Sequence, residues 1–134
     1  MNVPVKMIDG RRVTDAETLE IIMMVYAGKI NKNSVAKLQS FGCNSVGFSG
    51  ADGNTIIAKK RPVSTVDYGF VGDVVKVDIM VSKLLLNNNI TNIFSAISHD
   101  QKGQLLNTNA DTIASELAIA FTEFYQVELY YCFE

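Results

Sequence analysis

The sequence has little proline and no long apolar run, and each shortage removes a class of protein. Only two prolines occur among 134 residues, while 48% of the residues are hydrophobic. This composition is typical of a folded domain rather than of a disordered or fibrous chain. No apolar run reaches the roughly 18 residues that a membrane span needs. We therefore expect one globular domain over residues 1–134 with no membrane partner.

Positive charge is also scarce. Twelve basic residues stand against fourteen acidic ones, which gives a net charge of -2. A protein without an excess of positive charge has no field that attracts a phosphate backbone. We therefore expect no nucleic-acid partner.

Cysteine and histidine are too few and too scattered to suggest a disulfide framework or a metal site. Cys43 and Cys132 have no close spacing and no neighbouring histidine, which favours reduced, buried thiols in a cytosolic protein. His99, the only histidine, lies in a polar stretch and is expected in a surface turn. The first residues lack the apolar core of a signal peptide. The expected location is the cytoplasm, and no residue is assigned to a metal.

The first third of the chain has helical periodicity. Thr14 followed by Glu17 fits a capping box and predicts a helix over about residues 15–27. Gly28 is expected to interrupt that helix, and a second helix is expected to run from about residue 31 to the stop at Gly42. The apolar residues of the first helix, expected mostly in the core, include Met23, Met24 and Tyr26.

Short β-branched or apolar runs between turn residues predict strands. These runs are SVGFSG, residues 55–60, residues 68–77, ITNIFSAI and VELYYCF. The second and third are joined by a basic turn and are expected to form a small β-hairpin flap on the main sheet. Asp78 and Asn109 can act as the N-caps of two further helices. Strands that alternate with helices indicate an α/β fold, because parallel neighbours need a crossover that a helix supplies.

Polar residues cluster where the last predicted helix begins, in LLNTNADTIASELA. Asn107, Asn109 and Asp111 lie beyond the end of a predicted strand, where open α/β sheets bind ligands. The same residues can also serve only as helix caps that complement the helix dipole. Arg12 offers a planar fork for a carboxylate or phosphate, although a solvated arginine is the commoner outcome. These residues are the candidate site, and both interpretations stay open.

Four blocks of the sequence, taken in order, resemble one known family. DGRRVTDAETLE, VGFSGADGN, VDYGFVGDVVKVD and LLNTNADTIASELA resemble the middle of the acylglutamate-phosphorylating members of the amino acid kinase family. The NxNAD element and the RVT element with its helix are the most diagnostic parts. The resemblance implies a three-layer αβα sandwich with a mainly parallel sheet, of which this chain would hold mostly the amino-acid-binding lobe.

The resemblance also implies a reaction of the arginine pathway. The terminal phosphate of ATP, supplied with Mg²⁺, would be transferred to the side-chain carboxylate of an N-acyl-L-glutamate, either acetyl or succinyl. Arg12 would hold a carboxylate of the amino acid, and Asn107 would bind the main portion of the substrate. Asp111 would be the catalytic residue that keeps two lysines aligned on the phosphates. The supporting residues would be Asn109, Gly50 and Gly53.

The chain departs from the family at both ends. Members begin with a strand that bears a lysine and a glycine-rich turn, and they continue into a nucleotide-binding lobe with a second catalytic lysine; neither element is found in this sequence. The final YYCFE stands where relatives have an acidic, glycine-containing turn that meets the nucleotide. We therefore expect an internal segment that is catalytically incomplete alone and that belongs to a homodimer or higher homo-oligomer.

Two rival functions remain. One is a non-catalytic module that binds an acylglutamate without turnover, or an inactive fragment. The other, a dinucleotide-binding domain, is disfavoured because no GxGxxG motif follows a predicted strand. Binding of an acylglutamate or of a nicotinamide cofactor discriminates between them.

Overall fold

Strands and helices alternate through the chain, as seen in a computed structural model that describes residues 6–8 and 11–132. The strands are β1 Met7–Ile8, β2 Arg11–Arg12, β3 Ser45–Phe48, β4 Ile56–Lys60, β5 Gly72–Val77, β6 Thr91–Phe94, β7 Ile97–His99 and β8 Leu105–Asn107. The helices are α1 Ala16–Ile22, a π-helical segment Met23–Ile30, α2 Asn31–Ser40, α3 Met80–Asn87 and α4 Ala110–Phe121. Within the described ranges, no helix has both the length and the apolarity needed to cross a bilayer.

A single long helix replaces the two helices that the sequence predicted. α1, the π-helical segment (hereafter the π segment) and α2 follow one another without a gap, and the residues at both junctions keep right-handed helical dihedrals. The break predicted at Gly28 is therefore wrong, because glycine inside a helix costs only about 1 kcal/mol relative to alanine. The predicted capping box is also wrong: Asp15, rather than Thr14, is the N-cap and accepts a hydrogen bond from the Thr18 backbone N–H at 2.8 Å.

The described strands form an antiparallel pair of β1 and β2, a parallel pair and one mixed sheet. β3 and β6 pair in parallel, and a four-stranded sheet has the order β5-β4-β7-β8, in which β4 and β7 are parallel while the outer pairs are antiparallel. The α/β class is confirmed, with more antiparallel pairing than the predicted mainly parallel sheet. The predicted hairpin exists as β4 and β5, but it is part of the main sheet rather than a flap on it, because β4 also pairs with β7.

The main apolar core lies between the four-stranded sheet and the helices of the second half. Ile56, Ile79, Ile113 and Leu117 form a buried cluster, to which α4 contributes its two buried residues, Ile113 and Leu117. α4 packs against β5, α3 packs against β6, and α2 packs against both β3 and β6. β6 is thus contacted by helices from both halves of the chain.

A buried asparagine joins the long helix to the parallel pair. The side chain of Asn31 is only 3% exposed, and its Nδ2 donates to the backbone oxygens of Ile93 at 2.8 Å and Phe48 at 3.5 Å. A Cβ atom on Gly47 of β3 would lie 1.8 Å from the Asn31 Oδ1. The glycine therefore makes room for the amide that connects α2 to the ends of β3 and β6.

We predict that Asn31→Ala lowers the free energy of unfolding by about 2 kcal/mol, because it leaves buried backbone carbonyls without their donor. The measurement is a urea titration followed by circular dichroism. Asn33→Ala is the matched control, because Asn33 lies in the same helix but is exposed. Equal changes in the two variants would contradict the role given to the Asn31 amide.

Two predicted strands differ from the structure. ITNIFSAI forms β6 and β7 with a break at Ser95, whose backbone N–H and hydroxyl both donate to Phe48 O, at 2.8 and 3.0 Å. The chain changes its neighbour there from β3 to β4. The strand predicted at VELYYCF is wrong as far as residue 132, where the chain is irregular. The Tyr131 hydroxyl instead contacts Ser115 Oγ of α4 at 2.5 Å.

The predictions for the two cysteines and the histidine are only partly correct. Both cysteines are free, as predicted, but Cys43 is half-buried and Cys132 is exposed, so the burial predicted for Cys132 is wrong. His99 belongs to β7 rather than to a surface turn. Its Nε2 is buried and has no hydrogen-bond partner among the residues that the structure describes.

Candidate functional site

A cavity of about 850 Å³ opens where β2, the π segment and the start of β5 meet the carboxyl ends of β6 and β8. Ligands of open α/β sheets bind at such strand ends. Of the six residues that the sequence singled out, the structure brings three together on the wall of this cavity, namely Arg12, Asn107 and Asn109.

Arg12 is the last residue of β2 and is half-buried. Its side chain makes no hydrogen bond or ion pair with any residue in the described ranges. Asp9 and Gly10, which precede Arg11 and Arg12 in the sequence, lie outside the described residues. A guanidinium on a cavity wall with its donors unused is suited to a planar anion such as a carboxylate.

Asn107 is held in place by residues from two distant parts of the chain. Its Nδ2 donates to Thr14 Oγ1 at 3.0 Å, and its backbone N–H donates to Phe70 O at 2.9 Å. Thr14 is fully buried and forms a parallel bridge with Gly69. The hydrogen bond to Thr14 uses one of the two hydrogens on the Asn107 Nδ2. Within the described ranges, its Oδ1 and second N–H are left for a ligand.

Gly69 allows this close approach of backbone to backbone. Its φ is +72°, and a Cβ atom there would lie 2.1 Å from Thr14 O. Phe70 N donates to the same Thr14 oxygen at 2.7 Å, and Thr14 N donates to Tyr68 O at 2.9 Å. Because only glycine fits such a contact without strain, the position of Thr14, and through it the orientation of Asn107, depends on this residue.

Asn109 and Asp111 lie at the start of α4. Asn109 is the N-cap, as predicted, and its Oδ1 accepts from the Thr112 backbone N–H at 2.9 Å. Asp111 is exposed in the first helical turn and does not line the cavity. Its carboxylate oxygens have no hydrogen-bond partner in the part of the chain that the structure describes.

The two glycines proposed as supporting residues do not line the cavity. Gly50 donates its N–H to Ile97 O at 2.6 Å and accepts from Ile56 N at 2.9 Å. A Cβ atom on it would lie 2.7 Å from the Ile56 Cβ. Gly53 has a φ of +60° and lies against Val81. Both glycines therefore have structural reasons for their identity that need no ligand.

Three charged residues of the cavity wall were not singled out from the sequence, namely Arg61, Asp73 and Glu116. The Arg61 Nη2 and Nε lie 2.5 and 3.0 Å from the Asp73 Oδ1, and the guanidinium lies 5.7 Å from the centre of the Tyr68 ring. The pair exists because β4 and β5 are antiparallel neighbours, and sequence alone does not give that register. Because Asp73 balances Arg61, the cation of the wall without a described partner is Arg12.

The long helix also contributes to the wall of the cavity, although the apolar residues of its first part were expected mostly in the core. Tyr26, Ile30, Asn31 and Ser34 line the cavity together with the end of β6. Tyr26 is half-buried and Ile30 is 53% exposed. The prediction that Met23, Met24 and Tyr26 lie mostly in the core is therefore wrong, because none of the three is buried. Tyr26, Ile30 and Ser34 share this face by their spacing of four residues, but the spacing does not show that the face borders a cavity rather than the core.

Comparison with known proteins points in one direction. The sequence profile described as "Amino acid kinase family" matches residues 1–122. An acetylglutamate kinase of Cytophaga hutchinsonii is 53% identical over 135 residues, which cover 100% of this chain and 51% of the relative. An acetylglutamate kinase of Phocaeicola vulgatus is 54% identical over 129 residues, which cover 96% of this chain and 50% of the relative. The chain spans about half the length of these curated relatives.

A solved structure supports the same fold. The protein smu.665 from Streptococcus mutans superimposes with a TM-score of 0.79 at 28% sequence identity. The match covers 90% of this chain and 48% of that protein. The order of helices and strands described above is thus found in an experimentally determined protein.

Proposed function

This chain belongs to the amino acid kinase family, and from that premise we propose that it supplies the amino-acid site of an N-acyl-L-glutamate kinase. The reaction is the ATP-dependent phosphorylation of the substrate's side-chain carboxylate in arginine biosynthesis. One observation carries the proposal: Arg12, Asn107 and Asn109, separated by up to 97 positions in the numbering, line a single cavity. Residues 1–134 are proposed as part of one kinase domain.

The chemistry of a carboxylate acceptor suits this cavity. A glutamate side chain has a pKa of about 4.3 in water, so it is already ionised at neutral pH and needs no general base. The protein must instead hold the substrate in line with the phosphate. We assign the α-carboxylate of the amino acid to Arg12, and the amide of the acyl group to Asn107, which offers both a donor and an acceptor.

Asp111 and the co-substrate complete the proposal. Asp111 is assigned to the alignment of lysine ammonium groups on the phosphates, because its ionised carboxylate is exposed beside the cavity wall at Asn109 and Ala110. In the described ranges, no three acidic, histidine or cysteine side chains are grouped to hold a metal ion. We therefore assign Mg²⁺ to the ATP phosphates themselves.

Isothermal titration of the polypeptide with N-acetyl-L-glutamate and N-succinyl-L-glutamate tests the proposal, with L-glutamate and NAD as controls. Binding of an N-acyl-L-glutamate in preference to both controls is expected. Binding of NAD alone would overturn the proposal. ATP turnover, followed by trapping the acyl phosphate with hydroxylamine, separates a kinase from the rival reading of a binding module or inactive fragment.

We predict that Thr14→Val weakens binding of the preferred N-acyl-L-glutamate by roughly tenfold, because the Asn107 amide loses its acceptor and its fixed orientation. The measurement is the Kd by isothermal titration. Thr14→Ser keeps the hydroxyl and should bind as the wild type does. A Thr14→Val protein that is folded, as judged by its thermal unfolding, yet binds with unchanged affinity would contradict this role.

Assembly and location also belong to the proposal. We propose a homodimer or higher homo-oligomer in which part of the long helix pairs with its copy across a two-fold axis. Light scattering coupled to size-exclusion chromatography measures this, and a mass near 14.7 kDa in solution would overturn it. The cytoplasmic location stays a prediction from the sequence.

A further inference from the structure

We infer that the π segment sets the length of the acyl group that the cavity accepts, through Tyr26 and Ile30. The inference rests on the proposed function, since it concerns the same cavity and the same substrate class. Tyr26 and Ile30 are the residues of the π segment on the cavity wall. They are specificity-determining residues in this proposal and take no part in phosphate transfer.

The winding of the helix brings these side chains to the cavity. In an α-helix a residue five positions along is rotated by about 140°, because successive residues turn by about 100°. A π turn closes one residue later, and the Asn31 backbone N–H indeed donates to Tyr26 O, five positions back. The π turn thereby rotates Asn31 toward the side of Tyr26. Ile30 lies four positions after Tyr26 and shares its helix face by spacing alone, so all three residues reach one cavity.

Asn31 fixes the rotation of the helix about its axis. Its buried amide donates to the backbone oxygens of Ile93 and Phe48, as described above. Ile93 and the next residue, Phe94, also line the cavity. The part of the wall formed by Tyr26 and Ile30 is thus joined by a buried hydrogen bond to the strand end that also lines the cavity. The helix is therefore held in a fixed position at the cavity.

The chemistry of this wall matches an acyl chain rather than a charged group. Ile30 is apolar and 53% exposed, so it presents hydrocarbon to whatever fills the cavity. The Tyr26 ring does the same, and its hydroxyl has no hydrogen-bond partner among the described residues. Arg12 and Asn107 lie on elements of the other walls and are already assigned to the carboxylate and the amide. Two parts of an N-acyl-L-glutamate remain, the side-chain carboxylate and the acyl chain. The side-chain carboxylate must face the phosphate donor, so we assign the acyl chain to the apolar groups of the helix.

The test compares affinities within a series of N-acyl-L-glutamates with unbranched acyl chains. For each protein we would measure by isothermal titration the Kd for the chain length that the wild type binds best and for the chain two methylenes longer. Tyr26→Ala and Ile30→Ala should each improve the relative affinity for the longer chain by about tenfold, since one methylene in an apolar pocket changes selectivity by roughly 10-fold or more. Ile30 is exposed, so its replacement does not endanger folding.

Met24→Ala is the matched control. Met24 lies in the same π segment and is also 53% exposed, but it does not line the cavity. Its replacement should therefore leave the ratio of the two Kd values, for the longer and the preferred acyl chain, unchanged. An unchanged ratio in folded Tyr26→Ala and Ile30→Ala would overturn the inference, and so would an equal shift in Met24→Ala. Failure of the wild type to bind any N-acyl-L-glutamate would instead overturn the proposed function.

Discussion

Replacing Arg12 with alanine should weaken binding of an N-acyl-L-glutamate about a hundredfold. The guanidinium is half-buried on the cavity wall and has no partner among the described residues, so its donors are free for a substrate carboxylate. A hydrogen bond to a charged group contributes about 1.5 to 3 kcal/mol, and each 1.4 kcal/mol changes Kd about tenfold. Isothermal titration of the two proteins with the same ligand measures the loss.

Two further variants separate the geometry of Arg12 from its charge. Arg12→Lys keeps the charge but loses the planar fork, so we expect an affinity between those of the wild type and Arg12→Ala. Lys59→Ala removes one positive charge from an exposed position of β4 outside the cavity and should bind as the wild type does. A similar loss in Lys59→Ala and Arg12→Ala would show that only overall charge matters, and the assignment of Arg12 would then be wrong.

Asp111→Asn should lower kcat by at least a hundredfold with little change in the KM for the amino acid. The expectation follows from the role proposed for this carboxylate, which is to align cations on the transferring phosphate, and such electrostatic groups contribute about 10²- to 10³-fold. Asp111 does not line the cavity, so the loss of its charge should leave amino-acid binding intact. The measurement is steady-state turnover of ATP in a preparation that forms the acyl phosphate.

Glu17→Gln is the control for this second prediction. Glu17 is also an exposed acid in the first turn of a helix, α1, and its replacement is likewise a change from carboxylate to amide. It should leave kcat unchanged. A rise in KM without a fall in kcat for Asp111→Asn would place the residue in substrate binding instead of catalysis.

Features that depend on neighbours in sequence were predicted well. Asn109 is the N-cap of α4 because a cap is satisfied by the backbone three residues on, and the strands at Ser45–Phe48 and Ile56–Lys60 follow from short apolar runs. Predictions from neighbouring residues can also be wrong by one position. Thr14 has the chemistry of a cap, yet Asp15 next to it takes that role, because the Thr14 hydroxyl accepts from Asn107 instead.

Features that depend on distant partners were missed. Arg61 binds Asp73 only because the register of β4 and β5 brings them together. The π turn that rotates Asn31 toward Tyr26 on the cavity wall is also invisible to a search for α-helical periodicity. The strand predicted at VELYYCF has residue types that favour a strand. A strand also needs a neighbouring strand with a free edge, and the described part of this stretch instead contacts α4 through the Tyr131 hydroxyl.

The junction of Thr14, Gly69 and Asn107 has a consequence for the order of events in folding. It joins residues that are 93 positions apart through a side-chain hydrogen bond, and the backbone bridge between Thr14 and Gly69 adds a third distant segment. Contacts of such long sequence separation close large loops and form slowly. The cavity therefore cannot take shape while the nascent chain is still short of Asn107, and ligand binding reports that all three segments have come together.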